Sequence, residues 1–196
     1  GKGGWRESAD PRQLGGLRYD LGPHLVDQAL LLLGPVRSVG ARTQSLRAVG
    51  SHDDDVLAVL EHDSGAVTVL SASLLAADSG PRFRVLGTAG AVVLPRTDTQ
   101  EDLLRAGERP GRDGADWGAQ PGLAAMVIVG EEPQSRELAY LDGQWPAFYR
   151  GVHDCLANGG QPPVSTASAL ATMTVLDAIG ESARTGRTIA TKGAGT

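Results

Sequence analysis

The chain has 196 residues, of which 18 are basic and 23 acidic, and its net charge is −5. This length fits one domain that buries its own core. The acidic balance offers no basic surface for nucleic acid, the single cysteine excludes an internal disulfide framework, and no apolar run is long enough for a membrane span. We therefore expect a single domain over residues 1–196, located in the cytoplasm.

The first predicted element is a helix over residues 23–33. Residues 1–19 are rich in glycine and charge and predict a loop. Pro23 suits the first helical position, where its missing N–H has no partner in any case. Apolar residues then follow at helical spacing up to Leu33, and Gly34 with Pro35 ends the helix.

A polar motif lies at the start of this helix. Asp20, His24 and Asp27 follow one another at spacings of four and three. His24 and Asp27 share a polar face of the predicted helix with Gln28, and Asp20 lies just ahead of the helix, within reach of His24. An imidazole beside carboxylates suits proton transfer near neutral pH. The alternative is that Asp20 only forms a turn and that His24 is an ordinary surface side chain. For an isolated motif of this kind the alternative is the commoner case.

The middle of the chain predicts antiparallel strands. The apolar and β-branched segments are 36–46, 55–62, 66–75, 82–87, 91–94, 123–129 and 135–141. Asp63-Ser64-Gly65 and Thr88-Ala89-Gly90 predict tight hairpins, and hairpins pair strands antiparallel. Residues 95–122 show no clear period and predict a long irregular segment.

For two groups of titratable residues in this region we expect no functional role. The run from His52 to Asp55 resembles a set of metal ligands, but a solvated turn before a strand explains it better, so we expect no metal site. His62 lies at a hairpin end, where we expect it to be exposed.

Two helices complete the pattern, over 146–158 and 167–185. The fold class predicted is α+β, a mainly antiparallel sheet with helices packed on one face. The strands 55–62 and 66–75 carry apolar residues on both faces. We therefore expect the other face of the sheet to be covered as well, in a homodimer or tetramer.

Several segments together resemble the C-terminal domain of the glucose–fructose oxidoreductase, inositol dehydrogenase and MocA family. The resemblance starts from the Asp-x-Gly-x-His-x-x-Asp pattern that Asp20, Gly22, His24 and Asp27 form. It extends over most of the chain, through the segments Trp5-Arg6, 84–91, 116–118, 148–152, 163–165 and 182–186.

The resemblance implies an NAD(P)-dependent oxidoreductase that acts on a sugar, a cyclitol or a related polyol by hydride transfer. It implies that His24 acts as acid and base on the substrate hydroxyl or binds it, that Asp20 binds substrate and orients His24, and that Asp27 supports the helix and the imidazole from behind. Trp5 and Arg6 are candidates for substrate binding, since a guanidinium can hold hydroxyl or carboxylate groups in bidentate fashion.

The resemblance also implies a partner domain. Members of the family carry a Rossmann domain with a Gly-x-Gly-x-x-Gly turn, which binds the dinucleotide and which this sequence lacks. We therefore expect NAD or NADP to bind outside this chain, and the fragment alone to be inactive. The alternative is a stand-alone, non-catalytic binding or dimerisation module.

Overall fold

A computed structural model describes residues 11–47, 52–78, 80–110, 117–120, 124–129 and 134–191. After a single 3-10 turn at Pro11–Gln13, the elements in chain order are α1 (Leu17–Asp20), α2 (Gly22–Leu33), β1 (Val36–Gln44), β2 (Asp55–His62), β3 (Val67–Ser73), β4 (Phe83–Gly87), β5 (Gly90–Leu94), α3 (Gln100–Arg105), β6 (Ala124–Val129), β7 (Gln134–Ala139), α4 (Trp145–Asn158), α5 (Thr166–Thr185) and β8 (Ile189–Ala190). No helix among these residues is long and apolar enough to cross a membrane.

The described residues divide into two compact units. One lies within residues 1–77 and 164–196, and the other within residues 78–163. Each unit contains one four-stranded sheet in which every neighbouring pair of strands is antiparallel. The expected α+β class with antiparallel strands is confirmed. The strands fall into two sheets, and the prediction of one domain over residues 1–196 stays a prediction.

The sheet of the first unit has the strand order β3-β2-β1-β8. Burial alternates along β2, because successive side chains of a strand point to opposite faces. On the inner face α2 and α5 pack against the sheet. The buried core is apolar and consists of Leu17, Val26, Ala29, Val36, Val39, Val56, Ala58, Leu60, Val175, Leu176, Ala178 and Ile179. The outer face leaves Leu57, Val59, Val67 and Val69 exposed.

His62 is fully buried, so the expectation of an exposed hairpin residue is wrong. Its Nδ1 lies 2.8 Å from the carbonyl oxygen of Gly34, and its Nε2 lies 2.8 Å from Oγ1 of Thr68. A carbonyl oxygen only accepts, so Nδ1 carries the proton. His62 thereby links the end of α2 to β3, and its two hydrogen bonds allow a polar ring to be buried.

The second unit contains a meander with the strand order β4-β5-β6-β7. The buried side chain of Gln100, at the start of α3, organises the connection to α4. Its Nε2 donates to Asp98, and its Oε1 accepts from the backbone N–H of Trp145, the first residue of α4. Gly143 lies so close to this amide that a Cβ there would overlap it.

The predicted elements agree with the structure to within one or two residues at most ends. The helices at 146–158 and 167–185 begin one residue earlier, and the strand at 55–62 has the predicted bounds. The differences are short elements. Residues 17–20 form a helix where a loop is expected, residues 100–105 form a helix within the irregular segment, and β8 is a two-residue strand.

Candidate functional site

The site motif lies on a segment that is helical almost throughout. The backbone N–H of Asp20 donates to Gly16 at 3.1 Å, that of Leu21 to Leu17 at 2.9 Å, and that of Leu25 to Leu21 at 3.3 Å. Leu21, between α1 and α2, keeps a right-handed helical conformation. The interruption arises because Pro23 has no N–H to donate. Residues three or four positions apart therefore lie on the same face across the junction of α1 and α2.

The structure brings Asp20, His24 and Asp27 to one face of this segment. His24 and Asp27 are exposed and Asp20 is half-buried, whereas Val26 and Ala29 on the opposite face are buried in the core. Residues three and four apart on a helix have Cβ atoms about 5–6 Å from one another. The three side chains can therefore meet one small ligand from the same side.

Helix α5 supports the motif from behind at two close contacts. Gly22 is buried, and a Cβ there would lie 2.8 Å from Cδ2 of Leu176. The central glycine of the motif is therefore needed for the approach of α2 to α5. One turn further along α5, a Cβ on Gly180 would overlap the guanidinium of Arg18. Nη1 of Arg18 donates to the carbonyl oxygen of Leu176 at 3.1 Å.

Tyr19 forms a further contact between α1 and α5. Its hydroxyl donates to Oδ1 of Asp177 at 3.4 Å, and the Arg18 guanidinium lies 4.2 Å from the ring centroid. Partial burial raises the pKa of the Tyr19 phenol, the nearby positive charge of Arg18 opposes the rise, and the Asp177 carboxylate adds to it. Tyr19 is thus a neutral hydrogen-bond donor at neutral pH.

The turn before β2 supports the motif from the other side. Asp53 accepts two hydrogen bonds from the first turn of α1, one on its carbonyl oxygen from Leu17 N at 2.8 Å and one on Oδ2 from Arg18 N at 2.6 Å. The neighbouring Asp54 is buried and accepts from Leu46 N, Arg47 N and Arg47 Nε at 2.7–3.0 Å.

The interpretation of residues 52–55 as a solvated turn is wrong, since Asp54 is buried and both Asp53 and Asp54 hold backbone groups. These carboxylates are used in protein hydrogen bonds. Within the described ranges, no group of three or more His, Cys, Asp and Glu side chains is arranged to hold a metal ion.

Trp5 and Arg6, expected to bind substrate, lie outside the described residues. The supporting contacts of Arg18, Tyr19 and Asp53 are not predicted from the sequence. Their partners lie 35 to 158 positions away along the chain. No local pattern pairs residues at such separations, so only the fold reveals these contacts.

The chain is similar to known proteins over most of its length. The family model for the oxidoreductase family, C-terminal alpha/beta domain, matches residues 1–191. The uncharacterised oxidoreductase YdgJ of Escherichia coli is 33% identical over 92% of this chain and 51% of its own length. The scyllo-inositol 2-dehydrogenase (NADP(+)) IolW of Bacillus subtilis is 28% identical over 94% of this chain and 51% of its own length.

Solved structures agree with the family match. The crystal structure of a Klebsiella pneumoniae protein, assigned as an oxidoreductase, superimposes with a TM-score of 0.82 at 36% identity. The match covers 90% of this chain and 49% of that one. The chain thus spans about half the length of the relatives that it matches. It belongs to the glucose–fructose oxidoreductase, inositol dehydrogenase and MocA family, as a C-terminal alpha/beta domain of that family.

Proposed function

We propose that this chain is the substrate-binding and oligomerisation part of an NAD(P)-dependent oxidoreductase that acts on a sugar, a cyclitol or a related polyol. The observation that carries the proposal is the face shared by α1 and α2, where an imidazole and two carboxylates lie on a segment fixed from behind by α5 and the turn before β2. A relative named scyllo-inositol 2-dehydrogenase, 28% identical over most of this chain, favours a polyol as substrate class.

The cofactor would bind elsewhere in the full-length protein. A dinucleotide site of the Rossmann type needs parallel strands joined by a helix, with a glycine-rich turn at the helix N-terminus. Both sheets are antiparallel over the residues described. The described residues therefore offer no Rossmann-type dinucleotide site, and their proposed contribution to the reaction is the handling of substrate and proton.

The proposed chemistry follows from the side chains on α2. Oxidation of a secondary alcohol removes a proton from its hydroxyl oxygen. His24 would accept this proton on an imidazole nitrogen and return it in the reverse direction, as histidine can do near neutral pH. Asp20 would accept a hydrogen bond from a substrate hydroxyl and orient the imidazole. Asp27, one turn along the same face, would support the imidazole without contact to substrate.

Two residues outside the described ranges complete the proposed substrate site. Arg6 would donate its fork of N–H groups to substrate oxygens. Trp5 would cover the apolar face of a sugar or cyclitol ring, since aromatic rings pack on such faces while their polar edges stay hydrated. A double variant Trp5→Ala and Arg6→Ala in the full-length enzyme should therefore raise KM more than it lowers kcat.

The proposal is tested first on the natural protein. The intact mass of the protein expressed from its native gene should be close to twice that of this chain, because the relatives are about twice as long. Oxidation of a panel of polyols is then measured with NAD and with NADP. A native mass near 20.3 kDa, with no turnover, would instead favour the stand-alone binding module.

His24→Ala in the full-length enzyme tests the role of the imidazole. Loss of a general acid–base should lower kcat by about 10²–10⁴-fold. The unfolding free energy should change by less than about 0.5 kcal/mol, because the side chain is exposed and lacks a core contact. His153→Ala is the matched control, since His153 is also an exposed histidine on a helix. Turnover within a few-fold of wild type in His24→Ala would refute the assignment.

A further inference from the structure

We infer that Asp53 is a positioning residue of the site: from the turn before β2 it caps the start of α1 and so fixes Asp20 and His24. The inference rests on the proposed function of these two residues. No contact of Asp53 with substrate or with the imidazole is proposed. Asp53 acts through the backbone of the segment that carries Asp20 and His24.

The first observation is a cap that the local sequence does not supply. The first N–H groups of a helix have no partner within the helix, and the residue just before it usually provides one. Gly16 occupies that place before α1 and has no side chain. Asp53 replaces it, with its carbonyl oxygen 2.8 Å from Leu17 N and its Oδ2 2.6 Å from Arg18 N.

The second observation is the space that Gly16 leaves for this carboxylate. A Cβ at Gly16 would lie 2.5 Å from Oδ1 of Asp53, and its φ of +98° is one that other residues rarely adopt. The glycine is therefore required both by its conformation and by the close approach of Asp53. Gly16 and Asp53, 37 positions apart in sequence, therefore pack closely against one another beneath the site.

The third observation is that the capping turn is itself fixed. The backbone N–H of Asp54 donates to Gln44 O at 2.9 Å, and its carbonyl oxygen accepts from Leu74 N at 2.9 Å. These bonds tie the turn to the end of β1 and to the residue that follows β3. Because these bonds hold the turn against the sheet, Asp53 ties the first turn of α1 to the sheet.

The consequence concerns the geometry of the proposed reaction. Asp20 is the last residue of α1, and its own N–H is bonded to Gly16 O. Without the carboxylate cap, the first turn of α1 loses a charge-assisted hydrogen bond and is held less tightly. A displacement of about 1 Å at a reacting group can cost about 10²-fold in rate. Asp53 should therefore affect turnover more than its effect on stability suggests.

The test uses the full-length enzyme with Asp53→Ala, Asp53→Asn and the control Ser165→Ala. Ser165 caps α5 with its Oγ 3.0 Å from Ser168 N, eleven residues, or about 16 Å of helix, before Leu176. Each alanine variant removes one side-chain cap, Asp53→Ala from α1 and Ser165→Ala from α5. Asp53→Ala should lower kcat by about 10–100-fold, whereas Ser165→Ala should leave it within about twofold. Asp53→Asn should restore most of the loss, because its amide oxygen can still accept from Arg18 N.

A second readout separates failure of this inference from failure of the proposed function. In NMR spectra the imidazole and amide signals of His24 should move in Asp53→Ala and stay in place in Ser165→Ala. If they move while His24→Ala remains active, positioning holds and the catalytic role of His24 fails. If the signals and kcat of Asp53→Ala match those of Ser165→Ala, the inference is overturned. Should Asp53→Ala not fold, Asp53→Glu, which moves the carboxylate outward, replaces it with the same expectations.

Discussion

The two neighbouring aspartates before β2 have different roles because their hydrogen-bond partners differ. Asp53 and Asp54 occupy adjacent positions, yet Asp53 caps a helix from another part of the chain while Asp54 closes its own loop. Three N–H groups converge on the Asp54 carboxylate, which satisfies a buried charge that would otherwise be costly. The loop between β1 and β2 is thereby tied to a single side chain.

The pKa of Asp54 gives a prediction about acid stability. The hydrogen bond from Leu46 N lowers this pKa most, burial opposes it, and the hydrogen bonds from Arg47 lower it further. A folded-state pKa below the ordinary 3.8 means that ionised Asp54 stabilises the fold above that pH. This contribution is lost as the pH falls through the folded-state pKa. The wild-type unfolding free energy should therefore decline as the pH falls below 3.8.

Asp54→Asn tests this prediction, because three donors converge on the two oxygens and an amide NH2 would face at least one of them. The variant should be less stable at pH 7, and the difference from wild type should shrink toward low pH. Urea unfolding followed at several pH values provides the measurement. The control is Asp63→Asn at an exposed hairpin position. A difference that does not vary with pH would contradict the role of the charge.

At the scale of elements, the packing of α2 on α5 depends on Gly22. Ala at this position would place a methyl group 2.8 Å from Cδ2 of Leu176, which is fully buried and has little room to move. We expect Gly22→Ala to destabilise the protein by about 1–3 kcal/mol, the usual cost of overpacking a core. The cost should appear even though alanine is the better helix former.

Gly40→Ala is the matched control for Gly22→Ala. A Cβ at Gly40 would meet only Oγ1 of Thr188, at 3.9 Å, which is an ordinary contact. Since loss of a glycine also lowers the entropy of the unfolded chain, Gly40→Ala should be neutral or slightly stabilising. The readout is the midpoint of thermal or urea unfolding. Equal midpoints for the two variants would show that the contact of Gly22 with Leu176 is not a constraint.

The elements also show what could be predicted from the sequence. The bounds of β2, the hairpin after it and the helix over 22–33 follow from apolar period, glycine turns and proline, which are local signals. His24 and Asp27 were predicted to share a helix face for the same reason. The division of the strands between two sheets depends on pairings that local period does not encode.

The supporting contacts of the site could not be predicted from the sequence, because they too depend on the fold. Burial of His62 could not be predicted, because a hairpin-end histidine becomes buried only when Gly34 and Thr68 lie within hydrogen-bond distance. Likewise, the cap from Asp53 joins residues 35 positions apart. The chemical groups of the site were readable from the sequence, whereas the residues that hold them in place required the fold.

At the scale of the whole molecule, the outer face of the first sheet remains apolar and open to solvent. Val59 and Val69 are paired across β2 and β3, and they are 40% and 65% exposed. Leu57 and Val67 adjoin them on the same face. A contiguous exposed apolar patch on a folded domain marks an interaction surface. We propose that a second copy of this chain covers it, in keeping with the expected homodimer.

Val69→Glu tests this dimer, because the strand-strand pairing is retained while a carboxylate enters the centre of the patch. Burial of an unpaired charge is costly, so the dimer should weaken by at least about 100-fold, or roughly 2.7 kcal/mol. Val69→Thr keeps the β-branch and adds no charge, and it should remain dimeric. Sedimentation at tens of micromolar, with circular dichroism to establish folding, gives the readout. A monomeric wild-type chain, or a dimer that tolerates Glu at this position, would place the interface elsewhere and leave the patch without this partner.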